Sequence, residues 1–331
     1  MTVSPASDEA AYRRAAEMLT AADAIAVVGH LRPDADAIGS VMALTLAMRQ
    51  LGKTVTPMIG QPYPVAPNLL TIPGAGEILL GEEIPDVDLV VTVDCGSIDR
   101  TGVLTDEVAA YRDRLLVIDH HVSNPGYGAH NLVDVRESTT SVLRELFHYL
   151  GVELDESIAH ALYAGLVTDT GSFRWGSPAM HTLAAELMDY GIDIREIAEE
   201  LLDKTSPADL SMIGRALANI RLLPAGERTV AVIMASHKDI RTHSGAAVER
   251  LIDFVRSLDG CDVGVVFKEQ YDGGWATSLR STAINVADLA RSLGGGGHAE
   301  AAGYTVYGEA EDVVNQLLES VAEIRGEAGE S

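Results

Sequence analysis

Apolar residues in the first half of the chain fall into two patterns. Continuous apolar runs bounded by polar residues at 24–28, 88–93 and 114–118 suit parallel strands covered on both faces. Elsewhere the apolar positions recur three and four residues apart, which predicts helices over 8–22, 38–51, 138–150, 157–168 and 178–190, the second closed by Gly52. A further strand is predicted over 54–59. This βα alternation predicts an α/β fold with a doubly wound, mainly parallel sheet, which takes ligands beyond the carboxyl ends of its strands.

Past residue 190 the pattern changes. Residues 191–225 read as a helical connector, with Pro207 suited to a first helical turn and Pro224-Ala-Gly226 marking a stop. Strands follow near 229–234, 261–268, 275–280 and 303–307, with a short helix over 286–293 and a terminal helix from 309. That predicts a second, smaller α+β domain of roughly 100 residues. The expected division is a catalytic domain over 1–190, the connector over 191–225 and a substrate-binding domain over 226–331.

Composition agrees with two globular domains: 331 residues exceed one ordinary core, and the chain is 47% hydrophobic and 22% charged. The N-terminus lacks a basic start and apolar h-region, and no apolar run approaches a membrane span, so a cytoplasmic protein is expected. Only Cys95 and Cys261 occur, which gives neither a disulfide framework nor a thiolate zinc site. A formal charge of −25 would repel a long polyanion and argues against tracking duplex nucleic acid. A short phosphorylated molecule held by a few local cations and metal ions remains compatible with it.

The candidate chemistry lies at the ends of the apolar runs. His30, Asp34 and Asp36 share one turn, Asp94 closes a second run, Asp119-His120-His121 a third, and Asp169 follows a fourth. An Asp in such a place is often only a helix cap or turn former. Four such motifs in chain order, however, could converge if their strands are neighbours. The set is rich in oxygen, has some imidazole and lacks thiolate, which suits Mn²⁺, Mg²⁺, Fe²⁺ or Co²⁺ better than structural zinc. Two such ions can clamp the attacking and leaving oxygens of a phosphoryl transfer and acidify a bridging water for in-line attack. Near the other end, Gly294 suffices to cap the helix before it, so Gly295, Gly296 and Gly297, with His298 after them, suggest close approach of a ligand to the main chain.

These motifs together resemble the DHH phosphoesterases, through the His-x-x-x-Asp-x-Asp element at 30–36, Val-Asp94-Cys-Gly, the Asp119-His120-His121 triplet, Thr-Asp169-Thr-Gly and the late Gly-Gly-Gly-His298. The similarity spans nearly the whole chain and is greatest to the short two-domain bacterial type, which hydrolyses nanoRNA and dephosphorylates 3′-phosphoadenosine 5′-phosphate (pAp). It implies two Mn²⁺ ions, one held by His30, Asp34 and Asp94 and the other by Asp36, Asp94, His120 and Asp169. It also implies that Asp119 orients a histidine, that His121 meets the scissile phosphate, and that Ser278, Arg280, Gly295, Gly296, Gly297 and His298 bind substrate. The implied partners are short RNA or dinucleotides and pAp, with no long duplex and no membrane, and a homodimer is an allowed assembly. The same chemistry would serve a cyclic dinucleotide or its linear product pApA. A RecJ-like exonuclease is disfavoured by the acidic, short chain, and an idle nucleotide sensor by the complete ligand motifs.

Overall fold

The apolar runs become the central strands of a six-stranded sheet in a computed structural model that describes residues 5–81 and 83–324. Two units are distinguished, Met1–Lys204 and Thr205–Ser331. The first runs α1 (Pro5–Ala21), β1 (Ala24–Gly29), α2 (Ala35–Gln50), β2 (Thr54–Ile59), β3 (Leu79–Leu80), β4 (Leu89–Val93), α3 (Thr105–Ala110), β5 (Leu115–Asp119), β6 (His130–Val133), α4 (Thr139–Leu150), α5 (Glu156–Asp169), α6 (Ala179–Met188) and α7 (Ile194–Ala198). Strand order is β3-β2-β1-β4-β5-β6, and every pair is parallel, so the sheet is wholly rather than mainly parallel. The chain winds outward from β1 and then returns to start again at β4. The crevice where direction reverses therefore lies beyond the carboxyl ends of β1 and β4, with β5 next to them.

Burial explains why these strands do not alternate. Ile25 and Val27 pack into the core that contains α2, α4 and α5, while Ala26 and Val28 pack with Val90, Leu104 and Val108 on the opposite face. Helix α2 crosses α5 at very short range because two glycines leave room. A Cβ on Gly39 would stand 2.4 Å from the Ala161 carbonyl oxygen, and one on Gly165 would stand 2.3 Å from Asp36 Oδ1.

The second unit runs α8 (Pro207–Ala218), β7 (Arg221–Ala225), β8 (Arg228–Ala235), α9 (His237–Thr242), α10 (Gly245–Glu249), α11 (Leu251–Arg256), β9 (Val263–Glu269), β10 (Gly274–Arg280), α12 (Val286–Ser292), β11 (Gly296–Gly297), β12 (Ala301–Tyr307) and α13 (Ala310–Glu323). Its sheet, ordered β11-β12-β10-β9-β8-β7, is mixed: β8 and β9 are parallel and the other pairs antiparallel. Val230, Val232 and Leu279 pack against α12 and α13, whereas Ala231, Ile233 and Val266 pack against α8, α10 and α11.

Several details depart from the sequence pattern. Strand β7 occupies the end of the segment expected to be helical, and Pro224-Ala-Gly226 leads into a hairpin rather than a simple stop. Pro224 is tolerated there because β7 is an edge strand. Strands β3 and β6 are too short to give a periodic signal. Residues 1–4, which bear on a leader sequence, and 325–331, the end of the expected second domain, lie outside the described residues. No helix among the described residues is long and apolar enough to cross a membrane.

Candidate metal centre

Each strand end beside the reversal delivers one part of a cluster. His30 follows β1, and its Nδ1 lies 2.9 Å from the Leu31 carbonyl oxygen. Arg100 Nη2 lies 3.2 Å from the same nitrogen, and Nε2 faces carboxylates 3.7 Å away at Asp34 Oδ1 and 3.5 Å away at Asp94 Oδ2. Asp34 is also the N-cap of α2, accepting from the N–H groups of Asp36 and Ala37, so the capping role and the place beside His30 coincide. Asp36, in the first turn of α2, is fully buried. Its Oδ2 accepts the Thr139 N–H at 2.7 Å, and its Oδ1 accepts the Thr140 N–H at 3.1 Å and hydroxyl at 3.0 Å.

Asp94, directly after β4, has a φ of 58°, a left-handed conformation rare outside glycine. One of its oxygens, Oδ2, faces His30; the other, Oδ1, lies 3.6 Å from His120 Nε2 and accepts the Thr139 hydroxyl at 2.9 Å. His120 Nε2 is also 4.0 Å from Asp36 Oδ2 and 3.2 Å from Asp169 Oδ2, at the last residue of α5. Its Nδ1 is 3.3 Å from the Arg136 carbonyl oxygen. Among the described residues of the first unit three groups result, His30–Asp34–Asp94, Asp36–Asp94–His120 and Asp94–Asp119–His121, in each of which one donor atom per residue lies within 4.8 Å of the others. All three contain Asp94. The donors are carboxylate oxygens and imidazole nitrogens, a set that fits hard divalent ions.

Behind this cluster stands Asp119, also fully buried. Its Oδ1 accepts the His120 N–H at 2.9 Å and lies 2.8 Å from His121 Nδ1, while its Oδ2 accepts the Asn124 amide at 2.6 Å. The histidine it orients is thus His121. Asn124 and the Tyr127 hydroxyl both donate to the Cys95 carbonyl, at 3.2 and 2.9 Å, and so anchor the residue that follows Asp94. The Trp175 indole donates to the Asp169 carbonyl at 2.6 Å and holds the end of α5.

Electrostatics reflect four carboxylates in a small space. Burial, with the charges of Asp94 and Asp34, pushes Asp36 well above the usual carboxylate range. Burial alone would lower His30, but the neighbouring Asp34 and Asp94 outweigh it and push the imidazole up to about 10. Burial likewise opposes charge on His121, yet Asp119 and Asp94 push it up to about 9. His120 is lowered, chiefly by burial. A divalent cation held by His30, Asp34 and Asp94 would offset the same carboxylate charge and displace the His30 proton.

Ser278 and Arg280 lie on β10, half-buried, and the Arg280 Nη1 donates to the Leu279 carbonyl at 2.9 Å. Gly296 pairs with Gly303, which pairs with Ser278, so these three form one row across β11, β12 and β10. His298 closes the β11–β12 hairpin, its N–H donating to the Ala301 carbonyl at 2.8 Å. Packing accounts for part of the glycine run that was expected to admit a ligand. A Cβ on Gly295 would stand 2.1 Å from the Gly303 carbonyl oxygen, and one on Gly297 would stand 2.6 Å from that of Ala301.

Thr139, Thr140, Asn124 and Tyr127 were not singled out in the sequence. The hydroxyl-rich stretch Ser138-Thr139-Thr140-Ser141 signals a helix start, and Ser138 does cap α4. Nothing in its spacing reveals that it meets Asp36 from 103 residues away.

Residues 24–166 match the DHH family, N-terminal domain, and residues 229–326 match the DHHA1 domain. Over 326 residues the chain is 28% identical to the bifunctional oligoribonuclease and PAP phosphatase of Thermus thermophilus, covering 96% of this chain and 95% of that protein. It is 26% identical to the cyclic-di-AMP phosphodiesterase of Geobacillus thermodenitrificans, over 91% of this chain but 48% of that protein. The crystal structure of an exopolyphosphatase-related protein from Bacteroides fragilis shares the fold, with a TM-score of 0.82 at 24% identity and coverage of 95% of this chain and 97% of that one.

Proposed function

We propose that this chain, which belongs to the DHH family and carries a DHHA1 domain after the DHH domain, is a two-metal phosphoesterase that hydrolyses short oligoribonucleotides to mononucleotides and pAp to AMP. One observation carries the hydrolytic reading: Asp94 turns its two oxygens toward two different ligand groups. The substrate class is supported by similarity along nearly the full length of the Thermus thermophilus oligoribonuclease and PAP phosphatase.

In this reading His30, Asp34 and Asp94 hold one divalent ion, and Asp36, Asp94, His120 and Asp169 hold the other, Mn²⁺ being favoured over Mg²⁺, Co²⁺ or Fe²⁺. When bound, the ions supply charge compensation for phosphate and activation of water. Asp119 keeps the His121 imidazole protonated at Nδ1 and charged at neutral pH, so that its Nε2–H can meet a phosphate oxygen and serve the leaving group. Ser278, Arg280, Gly295, Gly296, Gly297 and His298 are assigned to substrate binding in the second unit, where an arginine suits bidentate phosphate contact. Short RNA and pAp place its work in the cytoplasm.

The test is product analysis with purified protein and Mn²⁺ on labelled di- to pentaribonucleotides, pAp, pApA and cyclic dinucleotides. Mononucleotides and AMP are expected; if both the oligonucleotides and pAp stay intact, the proposal is wrong. Preferential turnover of a cyclic dinucleotide would favour the second reading, which the similarity to a cyclic-di-AMP phosphodiesterase motivates.

A further inference from the structure

A carboxylate that bridges two cations must keep its oxygens pointed to opposite sides. The terminal torsion of an Asp is broad and two-fold, so it does not enforce this by itself. At Asp94 the left-handed backbone sets where the side chain leaves the main chain, and one hydrogen bond fixes how the carboxylate is turned: the Thr139 hydroxyl donates to Oδ1 at 2.9 Å. Thr139 is itself fully buried and pinned, its N–H donating to Asp36 Oδ2 at 2.7 Å. Its β-branched side chain has few rotamers, so the hydroxyl has little freedom to turn elsewhere. An Oδ1 that accepts one hydrogen bond retains a lone pair for a cation. The same short segment touches the third member of the group, since the Arg136 carbonyl lies against His120 Nδ1.

We propose that Thr139 is a positioning residue of the metal centre, whose hydroxyl holds Asp94 in the bridging orientation and thereby makes the site formed by Asp36, Asp94 and His120 competent for a second divalent ion. This rests on the two-metal reading above, and its predicted signature is metal binding rather than turnover alone. If Thr139 served only as a first-turn residue of α4, removing the hydroxyl would change stability and leave metal stoichiometry intact.

The experiment titrates Mn²⁺ into the full-length wild type and the Thr139→Val, Thr139→Ala and Thr139→Ser variants, using calorimetry and electron paramagnetic resonance of the Mn²⁺ pair. Thr139→Val keeps the shape and loses the donor. It is expected to weaken the second Mn²⁺ by about 10–100-fold, the range for losing a group that orients a metal ligand, and to abolish Mn–Mn coupling while the first site is retained. Thr139→Ser keeps the donor and should stay within a few-fold of wild type. A Thr139→Val protein with wild-type second-site affinity and coupling would overturn the proposal, as would a serine variant as impaired as valine. Should the valine variant not fold, the alanine and serine pair decides by the same criterion. Wild type that binds two coupled Mn²⁺ ions but turns over no nucleotide would defeat the functional reading alone; wild type that binds only one would defeat the two-metal premise itself.

Discussion

Asp119 shows how one buried side chain can set the charge of a neighbour at the edge of the candidate centre. It accepts from His121, the His120 main chain and Asn124, and these bonds hold it ionised below the ordinary carboxylate value although burial opposes that. Its hydrogen bond is the leading reason that His121 stands near 9 against the pull of burial, with the charges of Asp94 and then Asp119 behind it. In Asp119→Asn the charge is lost and the hydrogen bond weakened, so the imidazole loses its proton at lower pH. If protonated His121 serves the reaction, kcat/KM should begin to fall at a lower pH than in wild type, and pH–rate profiles of the two proteins check this. An unmoved alkaline limb would remove His121 from the proton-bearing role. The sequence made the candidate ligands legible at this scale because acids and imidazoles at the ends of apolar runs have few reasons to be there together. It left Thr139 and Asn124 unmarked because threonine and asparagine are common at helix starts and turns, and only the folded chain brings them to Asp94 and Asp119.

Helix α2 brings Asp36 to the centre only because α5 can lie almost on top of it. Gly165 is the point of contact, and a Cβ there would stand 2.3 Å from Asp36 Oδ1 and 2.6 Å from the Thr140 side chain. Gly165→Ala should therefore force the helices apart or displace the carboxylate, at a cost of about 1–3 kcal/mol of stability, as for other overpacked sites. Thermal denaturation with and without Mn²⁺ separates the two effects: displacement of Asp36 predicts that the metal-dependent gain in melting temperature shrinks as well. A melting temperature and metal response equal to wild type would show that the contact relaxes freely. Long helices were readable in advance from a sustained period, and the buried strands β1, β4 and β5 from their continuous apolar runs. The edge strands β3, β6 and β7 were not, since two to five residues carry no period and Pro224 in β7 argued against a strand. The Gly295–Gly297 run is ambiguous for a different reason, because a glycine required by a neighbouring backbone and one required by a ligand look alike in sequence.

For the molecule as a whole, charge is the dominant fact. A formal −25 concentrates part of its repulsion around the buried Asp36 and Asp94 and the more open Asp34 and Asp169 beside them, which bound cations would relieve. Mn²⁺ should accordingly raise the melting temperature, and ion at about 100 times its dissociation constant contributes about 2.7 kcal/mol. A chelator should reverse the gain, and a melting temperature indifferent to Mn²⁺ would contradict the candidate centre. The donors of that candidate centre are strung from His30 to Asp169, after three strands, in the first turn of α2 and at the end of a helix that comes late in the first unit. A growing chain leaving the ribosome therefore carries most of its acidic ligands long before it can use them. On the two-metal reading, the ligand set of the second ion is complete only when α5 has emerged and docked, so loading with metal would act as a check that the first unit has been made and folded as far as Asp169.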